Sequence, residues 1–556
     1  MGLINLSFKD LMSTFTDIKV ITLIMLSFLG VPSLWAQETL ADEIILEIEE
    51  VSASQAPALH SYAAGQIGNK WILLGGRRDG LHGQFPATSF NLSERNDSIY
   101  VYDIMEDMRW SASVATLDSM LRDQLSAANF EYFQDGDQLF IIGGYGWSYN
   151  ENKKITFPYL IQVHLLGLID AIQNGDSIAP HLHQLYDERW AITGGNLSKL
   201  GDQYYLVMGH NFSRDYNSFD KFAFDQVYSN EIRRFSFSYN KQGRVIELTD
   251  YAALRDTILF HKRDYNLVPQ IGVDGSLSLM AYSGVFQYLA DLPWTSCVGI
   301  TEDGTYLQEG FEQLLTQYHC PVLPLYDSTH NYMHTLFFGG MGFSYYEADS
   351  MVIDSLIPFI KTISKTLRHP DGSMSEHRMP IEMPGYEGSN AHFFYEPTIP
   401  VYSKDIIHLN VLPDGIKSLV GYIHGGIIAE EKNIFQIVGG GESYASDKVY
   451  KVYITRDADL PSSISVPATT SPVSQIVLSP IPSTGLINLS FDFNNGPYVE
   501  YQIWNALGQS VLPAVRLHQR SHYQIPLELS SAPMGLYYLS IRSGAYFKSL
   551  PFEIHR

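Results

Sequence analysis
The chain has 556 residues and a formal net charge of −24, and it carries no dense basic run, so nucleic acid is excluded as a natural partner because phosphate recognition needs clustered Lys and Arg. Hydrophobic residues at 45% and charged residues at only 17% exclude a disordered chain. Aromatic residues at 13%, with 36 Tyr and 29 Phe, favour sheet, because such side chains fit a pleated, half-buried surface.

Residues 1–36 read as a signal peptide. Lys19 precedes an apolar run from Val20 to Leu29, Pro32 breaks the run, and Ala36 offers a small residue for cleavage before Gln37. The run is short for the ~20 residues of a membrane span, and no later stretch is long enough. The mature chain is therefore expected to hold no transmembrane segment.

A pattern then recurs along the chain: a Gly or Asp turn, four or five apolar residues, and a Gly-Gly pair. It occupies residues 68–76, 135–144, 201–210, 274–284, 333–340 and 431–440. In the third copy His210 stands in the second Gly place, and the fourth copy is the weakest. A run such as Trp71 to Leu74 is apolar on both faces, as a strand between stacked sheets should be. The glycines allow close backbone approach. Short strands ending in small residues precede several copies, at 61–65, 191–195 and 421–426, and third strands follow at 98–103 and 448–454.

This unit resembles the Kelch repeat, an apolar strand ending in Gly-Gly, then Tyr, then Trp. The first copy carries Gly75, Gly76, Tyr102 and Trp110. The resemblance covers residues 43–456 and implies an all-β fold, a β-propeller of six blades, with room for a seventh between Gly340 and Gly440. Before the first copy, residues 44–51 alternate apolar and acidic side chains, the pattern of a half-exposed outer strand. That segment is expected to complete the last blade and lock the ring.

Residues 457–474, rich in Pro, Ser and Thr, form a linker. Residues 475–556 are short strands separated by turn residues, which predicts a small immunoglobulin-like β-sandwich. Three blocks resemble the type A sorting domain of type IX secretion substrates. They are Pro480 and Pro482 with Gly485, a strand leading to the turn Asn505 to Gly508, and Gly535 opening a late strand. The resemblance implies passage across the inner membrane, then outer-membrane export by the type IX machinery, to a surface-attached or released state. The triplet Asp, then Ser or Thr, then an apolar residue or Thr, begins at Asp97, Asp118, Asp176, Asp256, Asp327, Asp349 and Asp354, and resembles the O-glycosylation acceptor of bacteria with this system.

The two cysteines, Cys297 and Cys320, are either one disulfide or two buried thiols. No Cys/His cluster suggests zinc, His181 and His183 alone make a weak metal signal, and no cofactor is expected. Asp135-Gly-Asp137 starts like a calcium loop but lacks the later ligands, so a hairpin turn explains it. No nucleophile elbow, zinc-protease helix or phosphate loop is present. Long loops after the Gly-Gly strands, at 77–96, 145–157 and 211–229, point to a binding face, since rigid scaffolds concentrate binding residues on loops. Arg77, Arg78, Tyr145, Trp147, His210 and Asn211 are the candidates: guanidinium forks suit carboxylates, and aromatic faces suit sugars or peptides. The leading expectation is a secreted or surface propeller that binds a glycan or a protein. The alternatives are a carbohydrate enzyme such as a sialic acid epimerase-like isomerase, and a structural surface protein. A copper oxidase of the galactose oxidase type would need a Cys cross-linked to Tyr, a context neither cysteine offers.

Overall fold
In the strand Lys70–Leu74, Trp71 and Leu73 pack against one neighbouring sheet, and Ile72 and Leu74 against the other. All four side chains are 0% exposed, which is why the run is apolar on both faces. This strand is the second of a four-stranded antiparallel sheet, Ala63–Ile67, Lys70–Leu74, Ser98–Asp103 and Met108–Ser113. Five more sheets follow on the same plan, so the chain is all-β. The computed structural model describes residues 44–457 and 473–555, apart from residues 221, 289–290, 348–349, 404, 437–440, 494–497, 506–509, 518–519 and 544–545. The expected signal peptide and most of the expected linker lie outside the described residues.

The second sheet is Ala128–Asp135, Gln138–Ser148, Tyr159–His164 and Leu182–Tyr186, and the third Asn196–Leu200, Gln203–Val207, Glu231–Tyr239 and Val245–Arg255. The fourth is Asn266–Ile271, Leu277–Tyr282, Val298–Thr301 and Gly304–Leu307, and the fifth Val322–Asp327, Tyr332–Phe338, Thr362–Arg368 and Met374–Glu382. The sixth has Tyr386–Tyr395, Ser418–Ala429 and Val449–Arg456, and takes its outermost strand from the other end of the propeller, Ile44–Val51. Ile44 pairs with Arg456 and Val51 with Val449, as the alternating pattern predicts for a seam. Lys417 Nζ reaches Glu47 at 3.0 Å and Glu49 at 2.5 Å across it. These six sheets are the blades of a propeller, and each adjoining pair of blades shares its own apolar cluster. Between blades 6 and 1, for example, Trp71 stacks on Phe394 with centroids 4.2 Å apart and meets Tyr102 and Tyr422 edge-on.

The Gly-Gly pairs clasp one blade to the next. Gly76 N donates to Ala127 O, Gly144 N to Ile192 O, Gly209 N to Lys262 O and Gly340 N to Glu387 O, at 2.8 to 3.1 Å. Gly426 N donates to Leu59 O at 2.9 Å and closes the circle. A Cβ on Gly143 would lie 1.8 Å from Ile192 O, so no larger residue fits there.

Two copies of the repeat sit differently from the expectation. In the third, Met208 takes the left-handed conformation of the first Gly (φ 50°) and Gly209 is the second, so His210 falls just beyond the clasp. In the sixth, the clasp is Gly425–Gly426 inside Ser418–Ala429, while Ile434–Gln436 is a short 3₁₀ turn in the following loop. Residues 421–426 therefore belong to the second strand of blade 6, and the described residues of the interval form no seventh blade. Residues 191–195 likewise precede the first strand of blade 3 instead of forming it.

The C-terminal part is a sandwich of a three-stranded sheet (Val473–Ser479, Leu486–Phe493, His522–Glu528) and a four-stranded sheet (Ser510–Leu517, Val499–Asn505, Gly535–Ser543, Tyr546–Ile554). Leu489, Phe491, Ile503, Leu539 and Ile541 fill its core. Gly485, at φ 111°, lets the chain pass Ser530, where a Cβ would come within 2.8 Å. Pro480 and Pro482 lie in the bend before Leu486–Phe493, and Gly508 lies outside the described residues. Cys297 and Cys320 are free, buried thiols. Burial pushes both thiols up to about 12.

Candidate functional site
The loops between second and third strands all leave the blades at the end marked by the Gly pairs. Loops from blades 1, 3 and 6 meet there. Ser218 N donates to Gln84 O at 3.0 Å, and Gln84 Nε2 to Phe435 O at 2.5 Å. His82 sits at their junction, with its ring centroid 4.7 Å from Phe90, 4.8 Å from Tyr216 and 5.7 Å from Phe435. Burial lowers its pKa to about 4. The loops thus pack on one another as a roof.

Three of the six sequence-derived candidates belong to this roof. Arg77, 7% exposed, forks onto Asp79 at 2.8 and 2.5 Å and lies over the Phe90 ring. Tyr145 donates its hydroxyl to Arg214 O at 2.5 Å. His210 meets Gln226 Nε2 at 2.7 Å, and burial lowers its pKa to about 3. Phe90 and Phe212 link these three side chains, both meeting Tyr145 edge-on, with Phe212 tilted against His210. The other three lie apart. Arg78 is exposed and donates to Ser93 O at 2.6 Å, Asn211 is exposed on the hairpin His210–Ser213 with Asp225–Tyr228, and Trp147 packs against Tyr149 at the far end of Gln138–Ser148. His183 bonds Val245 O and His181 stacks on His164, so the two do not converge. Asp135 instead pairs with Lys199 at 2.6 Å. Of the acceptor-like triplets, the hydroxyl residues Ser119, Ser177, Thr257, Ser350 and Ser355 are exposed.

A second feature was invisible to motif reading. One residue per blade holds a left-handed conformation near the head of the innermost strand, or in blade 6 just past the register shift inside Tyr386–Tyr395: Ser61, Asn129, Gly194, Asp264, His319 and Asn390, with φ between 52° and 68°. Main-chain bonds run around this ring, from Asn129 N to Ser61 O, Ser61 N to Asn390 O, Asn390 N to His319 O and Asp264 N to Gly194 O. The ring marks one end of a cavity of about 740 Å³ along the propeller axis, lined by the inner strands of all six blades and reaching the turns at Gly68 and Gly136 at the other end. That volume is typical of a small-ligand site. None of the six sequence-derived candidates lines it.

The ring is polar and charged. Arg263 pairs with Asp264 and donates to Tyr228 Oη at 3.3 Å, and His319 Nδ1 lies 3.9 Å from Asp264. Burial pushes the Asp264 carboxyl up, but Arg263, His319 and His210 together hold it below its ordinary value. Glu131, 1% exposed, accepts from Gly195 N at 2.6 Å, and burial pushes its carboxyl well above the usual range. Asn129 Oδ1, Asn390 Oδ1 and Glu131 Oε2 are buried and have no hydrogen-bond partner in the protein. Buried polar atoms are nearly always paired, so three unpartnered oxygens at the ring mark it as a place for a ligand hydrogen bond. Among the described residues, no three metal-ligating side chains converge.

Residues 478–550 match the family described as the secretion system C-terminal sorting domain. The class of the chain follows from this match: it is an export substrate of the type IX secretion system, delivered to the cell surface or the medium. No curated protein matches the sequence. Among solved structures, that of YjhT is similar at 10% identity with a TM-score of 0.38, covering 72% of this chain and 96% of that one. A fungal alcohol oxidase of the AA5 family in complex with copper is similar at 8% identity with a TM-score of 0.35, covering 92% and 99%. At such overlap neither adds to a fold already read from the six sheets. No described helix is long and apolar enough to cross a membrane.

Proposed function
We propose that this chain is a Kelch-type propeller, exported by the type IX system, that binds a glycan in its central channel. The observation that carries this reading is the pair of unpartnered amide oxygens, Asn129 Oδ1 and Asn390 Oδ1, on half-buried residues that line the cavity. A small turn of either amide aims an acceptor at a ligand hydroxyl, and each such bond is worth about 1 kcal/mol net. Gln66, Gln134, Ser198 and Lys199 add polar groups on blades 1 to 3 toward the other end, while Tyr132, Phe133 and Tyr395 offer ring faces to a sugar. The domain division that goes with this reading is the one expected above: signal peptide, propeller to residue 456, linker, and sorting domain.

The test is a glycan array probed with the secreted protein, followed by titration of any hit. Asn129→Ala and Asn390→Ala should each weaken binding five- to tenfold, whereas Arg78→Ala, on the exposed rim, should bind as the parent does. Equal binding by all three variants would refute the channel site.

An enzyme acting on the same sugar is the second reading, favoured by one observation. Glu131 and Asp264 flank Gly194 and Gly195, where added Cβ atoms would meet Asp264 Oδ1 at 2.7 Å and Glu131 Oε1 at 3.2 Å. Their carboxyls are shifted in opposite directions, as in an acid and base pair, and of these four residues Gly195 lines the cavity. Turnover of a bound glycan, lost in Glu131→Gln, would put this reading first.

A further inference from the structure
The inner strand of blade 4 is inverted for a channel filled with water. In Asn266–Ile271 the polar Asn266 and Gln270 are each 6% exposed and packed between blades. Asn266 Nδ2 donates to Gln317 O at 2.9 Å, and Gln270 Nε2 to Thr335 Oγ1 at 2.9 Å. Leu267 and Pro269, on the alternate positions, face the channel and are half-buried. Blade 5 adds Val322 and Pro324 to the channel side, with apolar Leu323 and Leu325 packed between blades. The two prolines fit here because the channel-side edge of an inner strand needs no ladder donor.

The connection between the first two strands of blade 6 extends this wall. It carries Val401–Ser403 and Ile406–His408, and the latter pairs in parallel with the inner strand of blade 5 through Leu325 and Tyr326. Ser328 Oγ and His408 Nε2, 2.8 Å apart, and Asn410 Nδ2 donating to Asp327 at 2.7 Å hold the connection in place. Even so, Ile399 and Val401 still face the cavity, and Val401 is 52% exposed. An apolar strip, Leu267, Pro269, Leu277, Val322, Pro324, Ile399 and Val401, therefore runs along blades 4 and 5 and the blade 6 connection, with Asn390, His392, Glu396 and Asp405 of blade 6 beside it, and blades 1 to 3 carry Gln66, Gln134, Ser198 and Lys199. Leaving apolar carbon in water costs about 25 cal/mol per Å². A concave apolar wall in a cavity of this size is the mark of a ligand contact.

We infer that the channel accepts a saccharide bearing an apolar chain, alkyl or acyl. The sugar hydroxyls meet Asn129, Asn390 and the glutamine side, and the chain lies along Leu267, Pro269, Leu277 and Ile399. This inference rests on the glycan reading and narrows its ligand class.

Titration calorimetry with paired methyl and n-octyl glycosides of glucose, galactose and N-acetylglucosamine, below the micelle concentration, tests it. For at least one sugar the octyl form should bind ten- to a hundredfold tighter than the methyl form, and Leu277→Gln should narrow that ratio. Equal affinity of the two forms would overturn the apolar-chain inference and leave the glycan reading standing. Octyl binding that ignores both sugar identity and Asn129→Ala would overturn the glycan reading. Binding of neither form of any sugar would overturn the inference.

Discussion

Lowering the pH from 7.5 to 5.5 should lower the melting temperature of the propeller by at least ~5 °C. Ten histidines are held toward the neutral state, six of them by large shifts. Burial lowers the pKa of His82, His261 and His392 to about 4, and that of His210, His334 and His424 to about 3. In the unfolded chain each titrates near 6.5. Below that value the unfolded state binds protons that the folded state refuses. The stability they contribute is thus fully present above pH 6.5 and is lost as the pH falls toward the folded values. Each group accounts for up to ~1.4 kcal/mol per pH unit across that window. Glu376 works in the opposite sense, because burial pushes its carboxyl up to about 7, so it favours the folded state as the pH drops from 7 toward 4.5. Glu131 has the same sign. Three raised carboxyls, Glu312 being the third, against ten lowered imidazoles leave acid lability as the net result. A melting temperature that is flat or rises between pH 7.5 and 5.5, followed by circular dichroism, would show that these histidines do not stay neutral in the fold.

Gly143→Ala should destabilise the propeller by ~4 kcal/mol or more, while Gly136→Ala should cost only ~1–2 kcal/mol. Both glycines have left-handed backbones, at φ 67° and 62°. They differ in their surroundings. A Cβ on Gly136 would meet nothing within 4 Å, but one on Gly143 would fall 1.8 Å from Ile192 O. That carbonyl accepts from Gly144 N, so the substitution must push blade 3 off blade 2. Denaturant midpoints of the two variants measure the difference. Similar midpoints would mean that the pair serves conformation alone and that the clasp is not what joins the blades.

Much of this fold was legible because its elements obey simple patterns. Trp71 to Leu74 is apolar on both faces because a blade lies on each side of it. Ile44–Val51 alternates because one of its faces is covered and the other is wet. The repeat failed where the pattern was ambiguous. Met208 holds a left-handed conformation that residue type does not announce, so the third copy slipped by one position. Residues 425–426 and 439–440 are both Gly-Gly, and only the bond from Gly426 to Leu59 distinguishes the true clasp.

The site was much less legible. Arg77 and His210 were singled out because they begin long loops, and those loops do form. They fold onto one another, however, and each side chain finds its partner inside the roof, Arg77 with Asp79 two positions on and His210 with Gln226 across a hairpin. The ring at the channel end was missed because Ser61, Asn129, Gly194, Asp264, His319 and Asn390 share a backbone conformation and not a residue type. A search for Asn, Asp, Ser or Gly at the head of each inner strand would have found four of the six, since Asn390 lies inside its strand. The inverted strand of blade 4 was hidden for a related reason: alternation shows which residues share a face, and only the ring of blades shows which face meets the channel.

The claim that matters most is that ligands enter the channel and do not settle on the roof. Diffraction from crystals of the secreted protein grown with the first glycan found on the array tests it most directly. The account predicts sugar density inside the cavity, within hydrogen-bond distance of Asn129 and Asn390. Sugar density confined to the exposed loops around Arg78 and Asn211 would contradict it and return the site to the loop face.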